Sequence, residues 1–479
     1  MSVATTPTRE ALAASVPGAR VTVVGAQRSG LAAARLLARQ GATPFLTERG
    51  DAAVGVAEGL EKAGIAHEFG GHTARALDAD WLVVSPGVPT SAPLVQQALK
   101  QGLAVYSEIE VASWFCAGPI VAITGSNGKT TTTTLVAHIF ETAGRAHVVA
   151  GNIGYAFADY ADEVDADTAV ILEVSSFQLD HIATFRPHVG VLLNVTPDHL
   201  DRYDHSFEKY AAAKYRLFEN ATPADWLVVS HDDEAVRAAA SAAATSRGLA
   251  LYEIALDAEV PRGAFATDGE ITLRLPDAPI PTDPVTRDET LMPPSDLALR
   301  GRHNLYNSLA AAIVARAMEI RSDVVRESLT SFEGVPHRLE SVRTVGGVAY
   351  VNDSKATNVN AVWYALESFP AIDADGRGIV LIAGGRDKGN DYGPLQRLVA
   401  ERVKGIVAIG EGADKVESEL GPHTPHVYRA DSMEDALQYA RVLAEPGDTV
   451  LLSPACASFD MFENYEDRGD TFKRLVHAL

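Results

Sequence analysis

Short apolar runs of strand length alternate with helix-length stretches along this chain, in three successive blocks. In the first block, Val21–Val24 leads into a Gly25–Gly30 turn and an Ala/Leu-rich helix expected from Leu31 to about Gln40. Two further apolar runs follow, Thr43–Thr47 ending at Glu48, and Trp81–Val84 running into Ser85-Pro86-Gly87. Strand, helix, strand in this order predicts a parallel sheet with crossover helices, because parallel neighbours cannot be joined by a tight turn.

A second series starts near Gly118. Strands are expected at Ile120–Thr124, Ala169–Val174, Gly190–Val195 and Trp226–Ser230, with helices near Lys129–Ala143, Phe207–Asn220 and Asp233–Ala244. The run Gly263–Pro276 carries an Asp-Gly pair between extended segments and predicts a hairpin. Asp277–Pro293 is Pro-rich and predicts a loop, and Asn304–Glu319 predicts a helix. Gly334 and Pro336 within Ser331–His337 mark the next boundary. Beyond it, Val348–Asn352, Gly378–Ala383, Gly405–Ile409 and Thr449–Ser453 alternate with helices again. At 479 residues, about three domains are expected. The fold class is therefore α/β, with domains at 1–117, 118–333 and 334–479: a Rossmann-like first, a central P-loop ATPase-type parallel sheet, and a Rossmann-like third.

Composition narrows the partners. Forty-one basic side chains against 63 acidic ones give a net charge of −22, which repels nucleic acid and anionic membranes and makes neither an expected partner. An anionic substrate must then be held by local cations and helix N-termini. Two cysteines, Cys116 and Cys456, are too few for a disulfide framework and read as packed thiols. The N-terminus has no apolar signal core, and no run of about 18 apolar residues occurs, so a cytoplasmic protein is expected.

The sharpest chemical signal is IVAITGSNGKTTTTT at 120–134, a buried strand, a glycine-rich turn and a threonine-rich helix start. Backbone N–H groups of Gly125 to Gly128 would face phosphate oxygens, Lys129 would bridge β- and γ-phosphates, and Thr130 would complete a Mg²⁺ shell. The spacing departs from G-x-x-x-x-G-K-[ST], since Ile123 stands at the first glycine. ATP is the expected ligand. Glu173, near a strand end, is placed to bind a metal or hold water. After the buried strand that ends at Asn194, Asp198, His199 and Asp201 offer three polar, metal-binding groups, or a histidine capping a turn. Lys214 by itself reads as a solvated helix-face lysine. The Gly25-Ala-Gln-Arg-Ser-Gly30 turn lacks the middle glycine of a dinucleotide fingerprint, and stays open between a phosphate-accepting turn and a tight βα connection.

Taken together these runs resemble the Mur ligase family. They are TGSNGKTT at 124–131, GNIG at 151–154, EVSSFQL at 173–179, NVTPDHLDR at 194–202 and AAAKYRLF at 211–218, continuing with GRHNLYN at 301–307, PHRLE at 336–340, NDSKATN at 352–358 and SPACASFDMFENYEDRGD at 453–470. The resemblance spans the chain, and the NDSKATN and SPACASFD runs look most like the D-glutamate-adding branch. It implies ATP-dependent addition of D-glutamate to UDP-N-acetylmuramoyl-L-alanine (UDP-MurNAc-L-Ala) through an acyl phosphate, in peptidoglycan precursor synthesis. Another Mur-type or folylpolyglutamate-type amide ligase is the alternative, and the sheet before residue 100 speaks against the folylpolyglutamate branch. A nucleotide-dependent dehydrogenase lacks its middle glycine at Gln27, and a P-loop switch leaves Glu173, His199, Lys214 and Arg338 without a task.

By the same resemblance, Lys129, His199 and Lys214 are the catalytic groups. ATP is held by Gly125, Asn127, Gly128, Lys129, Thr130, Thr131, Asn304, Asn307, Arg338 and Asp353. Two Mg²⁺ sites draw on Thr130 with Glu173, and on His199 with a carbamylated Lys214. The UDP substrate is assigned to Ser29, Gly30, Glu48, Ser85, Pro86, Gly87, Asn152, Ser175 and Gln178. D-Glutamate is assigned to Lys355, Thr357, Lys388, Ser458, Phe459 and Tyr465, the last standing where well-known members carry phenylalanine. A monomer acting on small molecules is expected.

Overall fold

The Val-, Ile- and Leu-rich runs pair into three separate sheets in the computed structural model, which describes residues 7–276, 288–299, 301–369 and 378–479. The first sheet holds β1 (Arg20–Val24), β2 (Thr43–Thr47), β3 (Ala66–Glu68), β4 (Trp81–Val84) and β5 (Ala104–Ser107) in the order β3-β2-β1-β4-β5, all parallel. Both β1 and β4 are buried almost throughout, as expected of parallel strands covered on both faces. The strand order reverses between β1 and β4, so the loops leaving their carboxyl ends part and open a crevice.

The second sheet is larger. It contains β6 (Ile120–Thr124), β7 (His147–Gly151), β8 (Ala169–Glu173), β9 (Val189–Leu192), β10 (Trp226–Ser230), β11 (Ala250–Leu256), β12 (Gly263–Thr267), β13 (Glu270–Arg274) and β14 (Asp288–Met292), in the order β14-β13-β12-β11-β10-β9-β6-β8-β7. Asp268 and Gly269 form the expected two-residue turn between antiparallel β12 and β13, with φ of 53° and 79°. The loop expected over 277–293 divides. Residues 277–287 lie outside the described residues, whereas 288–292 is strand, not loop: β14 pairs with β13, and the Arg274 guanidinium grips Asp288 across the ladder at 2.7 Å.

The third sheet comprises β15 (Glu340–Val345), β16 (Val348–Asn352), β17 (Ile379–Gly384), β18 (Val403–Ile409), β19 (His426–Ala430) and β20 (Thr449–Ala455), ordered β15-β16-β20-β17-β18-β19. Only edge strand β15 runs antiparallel to its neighbour. The helix after β1 begins at Arg28, three residues before its expected start, so Ser29 and Gly30 belong to its opening turn. The helix expected over Phe207–Asn220 is regular over Phe207–Tyr215 and tightens into a 3₁₀ turn at Arg216–Phe218.

The chain forms two compact units, Met1–Leu297 with Tyr306–Ser331, and Ala298–Leu305 with Phe332–Leu479. In the first unit, Ala32, Leu36, Ile109 and Ala112 share one apolar core with Phe157, Ala161 and Phe185. Burial of a side chain such as Phe157 contributes about 2–3 kcal/mol. A buried carboxylate sits beside this core. Glu110 accepts from Trp114 Nε1, the backbone N–H groups of Ala183, Thr184 and Phe185, and Thr184 Oγ1, at 2.6 to 2.9 Å. Glu110→Gln turns an NH₂ toward this ring of donors and is expected to cost about 2–3 kcal/mol of stability. Thermal unfolding measures it, and an unchanged midpoint would show that these bonds contribute no net stability.

Candidate active site

At the reversal point of the first sheet, the turn after β1 meets the turn after β4. Ser85 Oγ donates to Gly25 O at 3.3 Å. A Cβ at Gly30 would lie 1.9 Å from Gly25 O, so only glycine lets the helix start this close to the strand end. Glu48, leaving β2, accepts from Ala26 N at 2.8 Å and Gly50 N at 2.9 Å. Partial burial pushes its carboxyl up, but these N–H donors prevail and hold it below the ordinary range. Ser85-Pro86-Gly87 closes as a turn through Val88 N to Ser85 O at 2.9 Å. Ser29, Gly30, Glu48 and Ser85–Gly87 thus gather at one sheet edge, beside a helix N-terminus.

The second sheet places its chemistry at the same kind of edge. Strand β6 lies between β9 and β8, and the loops leaving all three converge. Gly128 caps helix Lys129–Thr142 with φ +85°, and a Cβ there would meet Asn307 Oδ1 at 2.5 Å. Asn307 Oδ1 also accepts from Thr132 Oγ1 at 3.2 Å, so this predicted nucleotide residue packs directly on the glycine loop. Lys129 Nζ donates to Gly125 O at 2.8 Å and Ser126 O at 2.9 Å. Thr130 and Thr131 are buried in the first helical turn, and Thr131 Oγ1 lacks a hydrogen-bond partner.

Lys214, a solvated-face residue on the plain sequence reading, is buried instead. It is 2 % exposed, and its Nζ donates to the same Gly125 O at 2.9 Å. Burial holds its pKa well below the ordinary lysine range, and the neighbouring Lys129 charge adds to this, against Asp198 and Glu173. Glu173 is buried at the end of β8. Its Oε1 accepts from Asn152 Nδ2 at 2.7 Å, while Oε2 has no partner. A buried carboxylate oxygen without a partner is what a hard divalent cation takes up. Among the described residues, no three His, Cys, Asp or Glu side chains cluster closely enough to hold a metal by themselves.

His199 adopts φ +51°, lies 3.6 Å from Asp198 Oδ2 through Nε2, and packs edge-on against Phe177 with centroids 5.1 Å apart. Asn152 also donates its N–H to Glu173 O, so this residue, assigned to the UDP substrate, orients the Glu173 carboxylate. Ser175 and Gln178 bond each other in a capping box that starts the short helix Ser176–Leu179.

In the second unit, Asp353 leaves β16 fully buried, accepting from Ser453 Oγ at 2.7 Å and Leu339 N at 3.2 Å. Burial raises its carboxyl to about 6, opposed by Arg338 and these donors. Arg338 Nε is buried without a partner, and Asn304 is buried in the opening turn of helix Arg302–Ala317. Lys355 Nζ donates to Tyr465 OH at 3.2 Å, over the same ring, and Thr357 N bonds Lys355 O. Ser458 is buried, and Lys388 and Phe459 are exposed. The loops leaving β16, β20 and β17 carry these groups, and the three strands are neighbours.

Three positioning residues escaped the sequence reading of the site. Asn194 and Asn127 exchange bonds of 2.9 and 3.1 Å, and Ser126 Oγ bonds Tyr210 OH at 2.9 Å, so Asn194 and Tyr210 brace the glycine loop. Arg468, 1 % exposed, ties Ser354 to Cys456 O through bonds of 2.8 to 3.2 Å, joining the segments that follow β16 and β20. The signals were present, since Asn194 opens the NVTPDHLDR run and Arg468 lies inside the last quoted motif.

Comparison with known proteins gives the site its relatives. Residues 19–107 match the MurD-like N-terminal domain of Mur ligases, 123–315 the Mur ligase middle domain, and 337–456 the glutamate ligase domain. The chain is 60% identical to the UDP-N-acetylmuramoylalanine--D-glutamate ligase of Salinibacter ruber, over 96% of this chain and 98% of the relative. It is 45% identical to that of Chloroherpeton thalassium, over 97% and 99%. Among solved structures, a pseudomurein peptide ligase type C from Methanothermus fervidus superposes with TM-score 0.58 at 18% identity, covering 96% of this chain and 100% of the other. A MurF ligase from Thermotoga maritima in complex with ADP gives 0.56 at 17% identity, with 97% of both chains covered. These two share the fold. Among the described residues no helix is long and apolar enough to cross a membrane.

Proposed function

The chain belongs to the Mur ligase family, and on that premise we propose that it joins D-glutamate to UDP-MurNAc-L-Ala, with ATP cleaved to ADP and phosphate. Near-full-length identity to D-glutamate ligases supports the substrate pair. The chemistry rests on one observation: a glycine loop whose Gly125 carbonyl is shared by Lys129 and a buried Lys214, beside an unpartnered oxygen of Glu173.

Amide formation from a carboxylate in water is uphill, so the carboxylate is first phosphorylated by ATP. The D-glutamate amine then attacks the acyl phosphate, and phosphate leaves. Charge accumulates on transferring oxygens in both steps, which places the demand on fixed donors. Gly125, Asn127, Gly128, Thr130 and Thr131 offer loop and helix-start groups, and Lys129 offers the cation. Asn304, Asn307, Arg338 and Asp353 complete the nucleotide set, with the Arg338 fork suited to phosphate. Thr130 with Glu173 would hold one Mg²⁺, and His199 with carbamylated Lys214 a second. When bound, the metal neutralises charge on phosphoryl oxygens.

The sugar nucleotide is assigned to Ser29, Gly30, Glu48, Ser85, Pro86 and Gly87, with Asn152, Ser175 and Gln178 on the facing loops. D-Glutamate is assigned to Lys355, Thr357, Lys388, Ser458, Phe459 and Tyr465, and Ser458 and Phe459 offer backbone N–H groups. The division into 1–117, 118–333 and 334–479 follows these three tasks, in a cytoplasmic monomer.

Phosphate release by the purified chain tests the proposal. Release is expected only with ATP, UDP-MurNAc-L-Ala and D-glutamate together. Release driven by L-glutamate and a folate instead would move the chain to the folylpolyglutamate branch.

A further inference from the structure

Arg202 joins the two halves of the first unit at the place where their chemistry meets. Its guanidinium donates to Pro86 O at 3.1 Å and Gly87 O at 3.4 Å, on the turn after β4. The same group lies over Phe177, with its carbon 4.2 Å from the ring centroid. Two further rings pack against Phe177: His199, edge-on at 5.1 Å, and Tyr203, stacked at 6.0 Å. Tyr203 OH in turn donates to Asp180 at 3.2 Å. One planar cation therefore touches the 85–87 turn on one side and, through a single ring, the His199 segment on the other.

Peptide geometry makes the first contact directional. In a trans peptide the C=O and the following N–H point opposite ways. Drawing Pro86 O toward Arg202 aims the Gly87 N–H away from it, so the guanidinium sets which way the turn presents its donor. The second contact is one only a flat cation makes well, since a guanidinium can stack on a ring while its edge donates in the ring plane.

We propose that Arg202 is a positioning residue that couples the sugar-nucleotide turn Ser85–Gly87 to His199 through Phe177, so that seating the substrate and aligning the metal-side histidine are one event. This rests on the ligase reading given above. Arg202 touches no substrate itself.

The test compares the parent with R202Q and R202K in steady-state phosphate release and in calorimetric binding of UDP-MurNAc-L-Ala. R202Q is expected to weaken sugar-nucleotide affinity about tenfold and lower kcat about tenfold, with KM for ATP and D-glutamate within about twofold. R202K keeps the charge without the fork and is expected to recover less than half of either loss. Equal affinity in parent and R202Q overturns the inference, as does a uniform loss across all three substrates accompanied by a lowered unfolding midpoint. A parent that binds the sugar nucleotide yet releases no phosphate sinks the ligase reading and leaves the affinity comparison standing. A parent that fails to bind it sinks both.

Discussion

Replacing Lys129 with methionine is expected to abolish nearly all phosphate release, by at least about a thousandfold or ~4 kcal/mol in the barrier, with the fold retained. Lys129 is the first residue of its helix, and its ammonium reaches back across the mouth of the glycine loop to two carbonyls. That placement keeps a full positive charge where loop N–H groups and the helix N-terminus already favour an anion. Methionine keeps the stem and deletes the charge. The loop does not depend on the lysine for its shape. Asn127 and Asn194 hold each other, and Ser126 is fixed by Tyr210 OH and by Thr196 O at 2.8 Å. Steady-state release and the unfolding midpoint, measured together, separate chemistry from folding. Activity within about tenfold of the parent, about 1.4 kcal/mol, would contradict the phosphate-bridging role.

Much of the architecture was legible because parallel strands buried on both faces leave unbroken apolar runs, and Ile120–Thr124 and Trp226–Ser230 were read to the residue. β14 was hidden because its neighbours in sequence are proline-rich, and its partner is set by the Arg274–Asp288 pair, which no local pattern announces. The helix start at Arg28 was hidden for a related reason. Gly25 and Gly30 read as one turn, yet Gly30 is small because a helix packs against the strand end there.

The site divides in the same way. Lys129 and Gly128 carry their chemistry in local spacing. Lys214 does not, because one helix position looks like another until the tertiary fold closes over it, and only the wider motif marked it out. Asn152 has a partner that local spacing does not announce. The structure makes it the partner that fixes Glu173 Oε1, a relation between β7 and β8 that depends on their parallel register, Gly151 opposite Glu173.

Lys214→Ala is the second change expected to have a large effect, a loss on the order of a hundredfold to a thousandfold in kcat. The environment argues for what the side chain becomes. Its Nζ is sealed from water, donates to Gly125 O, and shares that oxygen with Lys129. Burial penalises the charged form, and the Lys129 ammonium on the same carbonyl oxygen adds to that penalty. In its neutral form the amine can add CO₂, forming an N–C bond and releasing one proton, which gives an anionic oxygen donor facing Lys129. Attraction then replaces repulsion at the centre of the site. Alanine removes both the stem and the donor and leaves a cavity large enough for a small carboxylate, so acetate or formate is expected to restore part of the activity. The parent should in turn lose activity in carefully decarbonated buffer and regain it with bicarbonate. Normal turnover by Lys214→Ala would show that the lysine serves packing alone. A parent indifferent to bicarbonate, together with a variant that no short carboxylate rescues, would leave the buried amine itself as the working group.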